Sequence, residues 1–305
     1  MSRIKLYLQE LRAPFFTGSI VPVVLGAVIA WAKVGQFHWG WFILTLIGGM
    51  ALHAGANVSN DYYDHISGND EVNREFVRPF TGGSRMIQKG LMTPREVLIE
   101  AMALYAVAIP IGIYFIVVRG PLILLLGAIG ALSGFFYTAP PLKLVHRGVG
   151  EIFIGLNFGV LMTLGAYYVQ AGSFAWEPVV ASLPVAFLIV AILYINEFQD
   201  YTADKAVGKR HWVVRLGKER AVWGFVAIMA LTYLSILAGV AGRVLTPWTL
   251  IALLTVPLSL KAVTVAHKSY NDSKALTPAN AATIGAHLTT GIALTIAYIL
   301  HHYIS

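Results

Sequence analysis

Charged residues and cysteine are scarce in this sequence of 305 residues. Only 12% of the residues are charged and none is cysteine, whereas soluble domains carry about 25% charged residues. The absence of cysteine excludes disulfides, thiolate metal sites and cysteine nucleophiles. The scarcity of charge, with a hydrophobic fraction of 57%, argues against a soluble domain and favours an integral membrane protein.

The uncharged residues form runs that are long enough to cross a bilayer. A transmembrane helix needs about 17 to 25 residues at a rise of about 1.5 Å per residue. Nine runs of this length contain no Asp, Glu, Lys or Arg: 13–32, 34–60, 101–118, 120–142, 152–176, 178–196, 221–242, 244–260 and 275–305. The sequence therefore predicts an all-α, polytopic membrane protein with nine transmembrane helices in a single domain, 1–305.

The basic residues indicate the orientation of these helices. If the amino terminus is cytoplasmic, nine spans place all 22 Lys and Arg residues except Lys33, Arg119 and Arg243 on the inner side. Such an asymmetry is what the positive-inside rule predicts. The net charge of +7 is thus explained by topology, and no nucleic acid partner is expected because the basic residues do not cluster with aromatic residues on a soluble unit.

The amino-terminal region could be mistaken for a signal peptide, because basic residues precede its first apolar run. The run is longer than the usual apolar core of a signal peptide, and removing it would put the charged loops out of phase. Residues 2–12 place Ile4, Leu6, Leu8 and Leu11 among charged residues. We expect them to form a short helix at the inner membrane interface.

Acidic residues concentrate in two inner segments. Eight of the 15 acids lie in the windows 61–75 and 197–204. In each window an apolar span ends in Asn-x-x-x-Asp, and another Asp follows three or four residues later. This spacing predicts two helical faces rich in oxygen ligands: Asn57, Asn60, Asp61 and Asp64 on one, and Asn196, Asp200 and Asp204 on the other.

Carboxylates grouped so closely near the hydrocarbon region repel one another and require a compensating cation. Oxygen ligands without thiols suit Mg²⁺, with Mn²⁺ as the other possibility, and Mg²⁺ often bridges carboxylates to substrate phosphates. Basic side chains follow both windows and can bind the phosphate oxygens: Arg78, Arg85, Lys143, Lys209 and Arg210. The combination indicates a lipid diphosphate substrate bound at the cytoplasmic face of the cell membrane.

The acids have two other interpretations. They could be solvated charges at helix ends, but two windows with the same layout on one membrane face argue against this. A transporter with paired acidic sites in two repeats is a second alternative. Its acids would lie near the bilayer midplane, whereas these lie at the ends of the spans.

At these residues the chain resembles the UbiA superfamily of intramembrane prenyltransferases, whose signature is two aspartate-rich motifs. It is most similar to the branch that prenylates 1,4-dihydroxy-2-naphthoate in menaquinone synthesis. The matching stretches are 57–70, 81–91, 137–141, 147–151, 165–170 and 196–217. The resemblance implies nine helices around a central cavity, with both motifs at its inner mouth beneath cap loops at about 65–96 and 199–219. It also implies Mg²⁺-dependent transfer of a prenyl chain from a polyprenyl diphosphate to a small acceptor.

One departure bears on the acceptor. Where the naphthoate branch often has Tyr-Thr-Gly-Gly, this chain has Tyr-Thr-Ala-Pro-Pro at 137–141. Other acceptors with the same donor chemistry therefore stay as alternatives: 4-hydroxybenzoate, homogentisate, haem or a glycerol-phosphate lipid. The sequence also leaves the prenyl chain length and the oligomeric state open.

Roles can be assigned to individual residues on this basis. One Mg²⁺ is assigned to Asn57, Asp61 and Asp64, and another to Asn196, Asp200 and Asp204, with Asn60 beside the diphosphate. Tyr137 is expected to stabilise the prenyl cation through its aromatic face. Glu151 is expected either to orient the acceptor or to pair with Arg147. The glycines of the fourth predicted span, Gly127, Gly130 and Gly134, are expected to allow close packing between helices.

Overall fold

The computed structural model describes residues 2–304, and this part of the chain contains helices and no strands. We number the helices α1 (Arg3–Glu10), α2 (Thr17–Val34), α3 (Trp39–Ile66), α4 (Asn69–Val72), α5 (Pro94–Arg119), α6 (Leu122–Phe135), α7 (Gly150–Gly155), α8 (Met162–Ala171), α9 (Trp176–Ala206), α10 (Trp212–Leu216), α11 (Lys218–Ala241), α12 (Val256–Ser269) and α13 (Thr277–Ile304). A π-helical stretch, Leu156–Leu161, joins α7 to α8, and a 3₁₀ helix, Pro247–Thr255, precedes α12. The prediction of an all-helical fold is confirmed.

Eight helical segments within residues 2–304 are long and apolar enough to cross a membrane. They comprise α2 with its preceding turn, α3, α5, α7 to α8, α9, α11, the 3₁₀ stretch with α12, and α13. The remaining predicted span, 120–142, contains α6, an apolar helix of 14 residues. This helix is about 21 Å long, less than the roughly 30 Å of a hydrocarbon core. Pro140 and Pro141 follow it, and proline cannot continue a helix.

Local signals in the sequence fix several helix ends. Thr93 and Glu96 form a capping box at the start of α5, in which each side chain binds the other residue's backbone N–H. At the carboxyl ends of α2 and α8, Gly35 and Gly172 have left-handed backbones, which glycine adopts without a steric penalty.

The two acid-bearing helices, α3 and α9, end on the same side of the bundle. The connection after α3 contains α4, which packs against α9. The connection after α9 contains α10, which packs against α9 and α11. Both long connections therefore lie over the ends of the two helices that carry the Asn-x-x-x-Asp motifs.

The interior of the bundle where α9 packs against α11 is apolar, and the outer face of the bundle is apolar too. Tyr194, Phe198 and Phe225 are fully buried where α9 packs against α11. On the outer face, Val117 is 81% exposed and Leu254 is 82% exposed. Large apolar surfaces of this kind are uncommon on soluble monomers and are suited to contact with lipid.

Candidate active site

The first acidic motif lies in the last turns of α3. Asp61 is buried, and its Oδ2 accepts a hydrogen bond of 2.8 Å from the backbone N–H of Ser84. Its Oδ1 lies 3.6 Å from Nη1 of Arg12. The loop reaches Asp61 because Gly83 has no side chain and a φ of +63°; a Cβ there would lie 2.6 Å from Asp61 Oδ1. Asp61 is therefore held by the loop that follows its own helix.

The second motif lies in the last turns of α9 and is held by other elements. Asn196 Oδ1 accepts a hydrogen bond of 2.8 Å from Nδ2 of Asn280 on α13. Asp200 Oδ1 accepts one of 2.7 Å from Nδ2 of Asn73, which follows α4. The two motifs are thus linked across the site by the connection after α3.

Lys209 lies between the two motifs. Its Nζ is 2.9 Å from Asp64 Oδ1 and 3.1 Å from Asp204 Oδ1. Burial alone would lower the pKa of Lys209, but the charges of Asp204 and Asp64 outweigh it and raise the pKa well above its ordinary value. The ammonium group stays protonated and draws the carboxylates of both helices toward one positive charge.

His211 is a second buried cation at this end of α9. Its Nδ1 is 3.3 Å from Glu197 Oε2 and its Nε2 is 3.2 Å from Asp204 Oδ2. Burial works against the charged form, but Glu197 and Asp204 raise the pKa of His211 to about 10. Asp204 is therefore placed between two cationic side chains.

A polar cavity and an apolar cavity meet at this site. The polar cavity has a volume of about 130 Å³ and lies between α3, α4 and α9. The apolar cavity has a volume of about 330 Å³ and extends between α3, α5, α6 and α8. Four residues line both cavities: Arg12, Asn60, Tyr137 and Leu193. A ligand with a charged head and an apolar chain could therefore lie across the junction.

The glycines of α6 form part of the apolar cavity wall, and the expectation that they pack closely between helices is wrong. A Cβ added at Gly127 or Gly130 would have no neighbour within 4 Å, and one at Gly134 would make only an ordinary contact at 3.7 Å. Their missing side chains enlarge the cavity instead of bringing two helices together.

Most of the predicted ligands reach one of these cavities. Those that line the polar cavity are Asn60, Asp64, Tyr137, Asn196, Asp200, Asp204 and Lys209. Asn57 lines only the apolar cavity, and its Nδ2 has no hydrogen-bond partner among residues 2–304. Asp61 lines neither cavity because the Ser84 loop covers it.

Four of the predicted phosphate-binding residues are not in the cavity walls. Arg78 donates a hydrogen bond to the Ser84 carbonyl. Arg85 donates one of 2.9 Å to the Asp70 carbonyl and stacks on Phe76 at 4.3 Å from the ring centre. Both arginines therefore stabilise the connection after α3. The side chains of Lys143 and Arg210 are exposed.

Glu151 does not pair with Arg147, so that expectation is wrong. The segment before α7 is not a continuous helix, because Gly148 has a left-handed backbone, and the two residues are therefore not one helical turn apart. Glu151 is buried and accepts a hydrogen bond of 2.5 Å from the backbone N–H of Trp212. Arg147 donates to the Leu142 carbonyl instead.

Three residues of the site were missed by sequence reasoning. In the sequence Arg12 is one of the basic residues on the inner side and belongs to no motif, although it lines both cavities. Asn73 belongs to no motif and reaches Asp200 only because α4 folds against α9. His211 follows Lys209 and Arg210 in the sequence, and a histidine so close to paired acids could have been identified as their partner.

The walls of the polar cavity fit a hard divalent cation. Lys209 brings Asp64 and Asp204 within reach of one positive charge, and Asp200 lines the same cavity. Carboxylate and amide oxygens without thiols are the donors that Mg²⁺ prefers. A separate group, Glu151, Glu197 and His211, has ligand atoms within 4.8 Å of one another, but its histidine is already paired with Glu197 and Asp204.

Curated proteins similar to this chain act on naphthoquinone precursors according to their names. A 1,4-dihydroxy-2-naphthoate octaprenyltransferase of Bacillus subtilis is 29% identical over 84% of this chain and 80% of its own length. The protein of the same name from Mycobacterium tuberculosis is 30% identical over 80% of both chains. A 2-carboxy-1,4-naphthoquinone phytyltransferase of Synechocystis is 25% identical over 96% of this chain and 93% of its own length.

Solved structures share the fold. A UbiA homologue from Aeropyrum pernix has a TM-score of 0.66 at 17% identity, with 92% of this chain and 97% of that chain covered. One from Archaeoglobus fulgidus, bound to geranyl diphosphate and Mg²⁺, has a TM-score of 0.58 at 17% identity, with 95% and 99% covered. The UbiA prenyltransferase family model matches residues 19–298. The chain therefore belongs to the UbiA prenyltransferase family and is a membrane prenyltransferase.

Proposed function

We propose that this protein transfers a prenyl chain from a polyprenyl diphosphate to 1,4-dihydroxy-2-naphthoate in an Mg²⁺-dependent reaction. The observation that carries the proposal is the junction of the two cavities, where a carboxylate-rich polar chamber opens into an apolar one. The diphosphate occupies the polar cavity and the prenyl chain the apolar cavity. The allylic carbon then lies near Tyr137, which lines both.

The polar cavity binds the leaving group. Asp64, Asp200 and Asp204 would hold the cation, with Asn60 and Asn196 as neighbouring oxygen ligands, while Asn57 and Asp61 stay predicted ligands. When bound, Mg²⁺ supplies positive charge that stabilises the departing diphosphate. Lys209 is placed to bind diphosphate oxygens, because it lines the polar cavity and its ammonium group lies between Asp64 and Asp204. The loops at about 65–96 and 199–219 cap the site and limit the entry of water.

The reaction is an electrophilic substitution on the acceptor ring. The allylic C–O bond breaks and both electrons leave with the diphosphate. A ring carbon of the acceptor then donates an electron pair and forms a C–C bond with the allylic carbon. The ring regains aromaticity by losing a proton from a C–H carbon or carbon dioxide from a carboxylated one. The face of Tyr137 stabilises the allylic cation before capture, an interaction of about 2 kcal/mol when desolvated.

The acceptor and the topology are the finer parts of the proposal. Relatives at 25–30% identity are named for naphthoquinone precursors, which supports an acceptor of this class. The positive-inside distribution supports nine spans in one domain, with α6 in the fourth, and an active site that faces the cytoplasm. Cysteine substitutions at the exposed positions 71 and 208 should be labelled from the same side of the membrane, and labelling from opposite sides would contradict this topology.

A direct assay tests the function. Purified protein in lipid vesicles receives Mg²⁺, a radiolabelled polyprenyl diphosphate and one acceptor from a panel of naphthoate, 4-hydroxybenzoate, homogentisate, haem and a glycerol-phosphate lipid. We expect a labelled covalent product with the naphthoate. A product with another acceptor alone would overturn the acceptor assignment, and flux across sealed vesicles without any product would favour the transporter.

A further inference from the structure

Arg12 occupies an unusual position at the junction of the two cavities. It lies between α1 and α2, with a left-handed backbone at φ 57° and ψ 45°. Within residues 2–304, Arg12 is the one residue with an ionised side chain among those that line the apolar cavity. It also lines the polar cavity. A positive charge is therefore held where the apolar cavity begins.

The guanidinium group of Arg12 is available for a ligand. Only 19% of its side chain is exposed, and its nearest carboxylate oxygen, Asp61 Oδ1, is 3.6 Å away. Its carbon Cζ lies over the Phe15 ring at 5.0 Å. Within residues 2–304 its side chain makes no hydrogen bond, although a guanidinium carries five N–H donors. None of these donors is among the fully buried unpaired atoms, and Arg12 lines both cavities, so an anionic ligand in the cavity could supply acceptors for them.

We propose that Arg12 binds the carboxylate of an aromatic acid acceptor and so holds the acceptor ring at the mouth of the apolar cavity. The inference rests on the function proposed above. It assigns a carboxylate-binding residue on the amino-terminal segment, outside both aspartate motifs, and makes the carboxylate a determinant of acceptor choice.

Charge and geometry favour the acceptor over the donor as the partner of Arg12. Lys209, which we propose binds the donor diphosphate, lines only the polar cavity, whereas Arg12 also lines the apolar cavity. A planar guanidinium matches a carboxylate through two parallel hydrogen bonds. Asn57, one turn before Asp61 on α3, adds a buried Nδ2 without a partner in the same cavity.

The proposal can be tested with two acceptors that differ only in the carboxylate, 1,4-dihydroxy-2-naphthoate and 1,4-naphthalenediol. Their dissociation constants are measured with Mg²⁺ and a non-reactive prenyl thiolodiphosphate bound, for the wild type, R12Q and R12K. The control variant is R95Q, because Arg95 is an exposed arginine in the first turn of α5 and lines neither cavity.

We expect R12Q to weaken naphthoate binding at least tenfold, roughly the effect of losing a charge-assisted pair. The diol and the thiolodiphosphate should change by less than about threefold. R12K should recover part of the loss, and R95Q should match the wild type. The ratio of the two acceptor affinities within one variant does not depend on the fraction of protein that is folded.

Several outcomes would overturn the inference. Equal weakening of both acceptors, weaker binding of the thiolodiphosphate alone, or a wild type that binds naphthoate no better than the diol would each exclude a carboxylate role for Arg12. Failure of the proposed function is distinguishable, because it appears as tight, Arg12-dependent naphthoate binding without any prenylated naphthoate in the turnover assay.

Discussion

The ends of α3 and α9 resemble each other in sequence but differ in how their aspartates are held. On α3, Asp61 accepts a backbone hydrogen bond from Ser84 and lies beneath its own loop. On α9, the corresponding Asp200 lines the polar cavity and accepts a hydrogen bond from Asn73, which lies in the connection after α3. The final aspartates behave alike, since both Asp64 and Asp204 contact Lys209.

The difference indicates that the two motifs are not interchangeable. The last aspartate of each motif contacts Lys209, whereas the preceding aspartate binds a loop on α3 and lines the polar cavity on α9. A duplicated pattern in sequence therefore does not establish equal roles, because each copy is completed by residues that lie outside it.

Removal of the metal should have the largest effect and tests the shared site. Without a divalent cation, the departing diphosphate would face the carboxylates of both helices with little compensation beyond Lys209. We expect EDTA to lower prenyl transfer by at least about 10³-fold. Titration with Mg²⁺ after removal of the chelator should restore it. Undiminished prenyl transfer in EDTA would mean that the ends of α3 and α9 do not bind a divalent cation that the reaction needs.

Substitution of single aspartates should separate their roles. Asp64→Asn and Asp200→Asn each remove one charge from the polar cavity, so we expect activity to fall by about 10² to 10³-fold. Folding should be retained, because relief of carboxylate repulsion offsets lost contacts. Asp61→Asn keeps an oxygen that accepts from Ser84, and we expect its loss of activity to be about tenfold smaller.

Prenyl transfer and thermal unfolding, measured on the same purified variants, would check this order. Equal losses in Asp61→Asn and Asp200→Asn would show that the two motifs act alike. Losses that follow the amount of folded protein would remove the argument for a metal role.

Two glycines provide a matched pair with smaller effects on stability. Gly83 has a φ of +63° and Gly208 a φ of +79°, so alanine at either position costs about 1 to 2 kcal/mol of backbone strain. Only Gly83→Ala places a Cβ against Asp61, since nothing lies within 4 Å at Gly208. We expect Gly83→Ala to lower the unfolding temperature several degrees more than Gly208→Ala. Equal shifts would argue against close packing of the Ser84 loop on Asp61.

The sequence was sufficient for the helices and for the presence of an acidic site. Uncharged runs determine membrane helices because hydrocarbon excludes unpaired charges, and the spacing of Asp61, Asp64, Asp200 and Asp204 follows from helical periodicity. The span at 120–142 was less well predicted. An absence of charge does not reveal that the prolines after Phe135 end the helix.

Residues brought in by loops could not be predicted in the same way. Asn73 and Arg12 meet the motifs only through tertiary packing, which no local periodicity records. Lys209 was identified as a basic residue near the phosphates, but its position between two aspartates depends on how the connection after α9 folds back. Adjacent basic residues in such a loop can therefore have different surroundings.

The smallest expected effects concern Lys143 and Arg210, which sequence reasoning assigned to the diphosphate. Both side chains are exposed and line neither cavity, and exposed charges contribute about 0 to 1 kcal/mol to most interactions. We expect Lys143→Gln and Arg210→Gln to change kcat/KM for the donor by less than about threefold.

Lys209→Gln is the reference variant, because it removes the ammonium group that Asp64 and Asp204 both contact. It should reduce kcat/KM by at least tenfold. Lys209 and Arg210 are neighbours with the same charge. A difference in kcat/KM between their Gln variants would therefore reflect where each side chain lies and not its charge. If Arg210→Gln or Lys143→Gln lost as much activity as Lys209→Gln, the loops would have to close further over the diphosphate than their present contacts indicate.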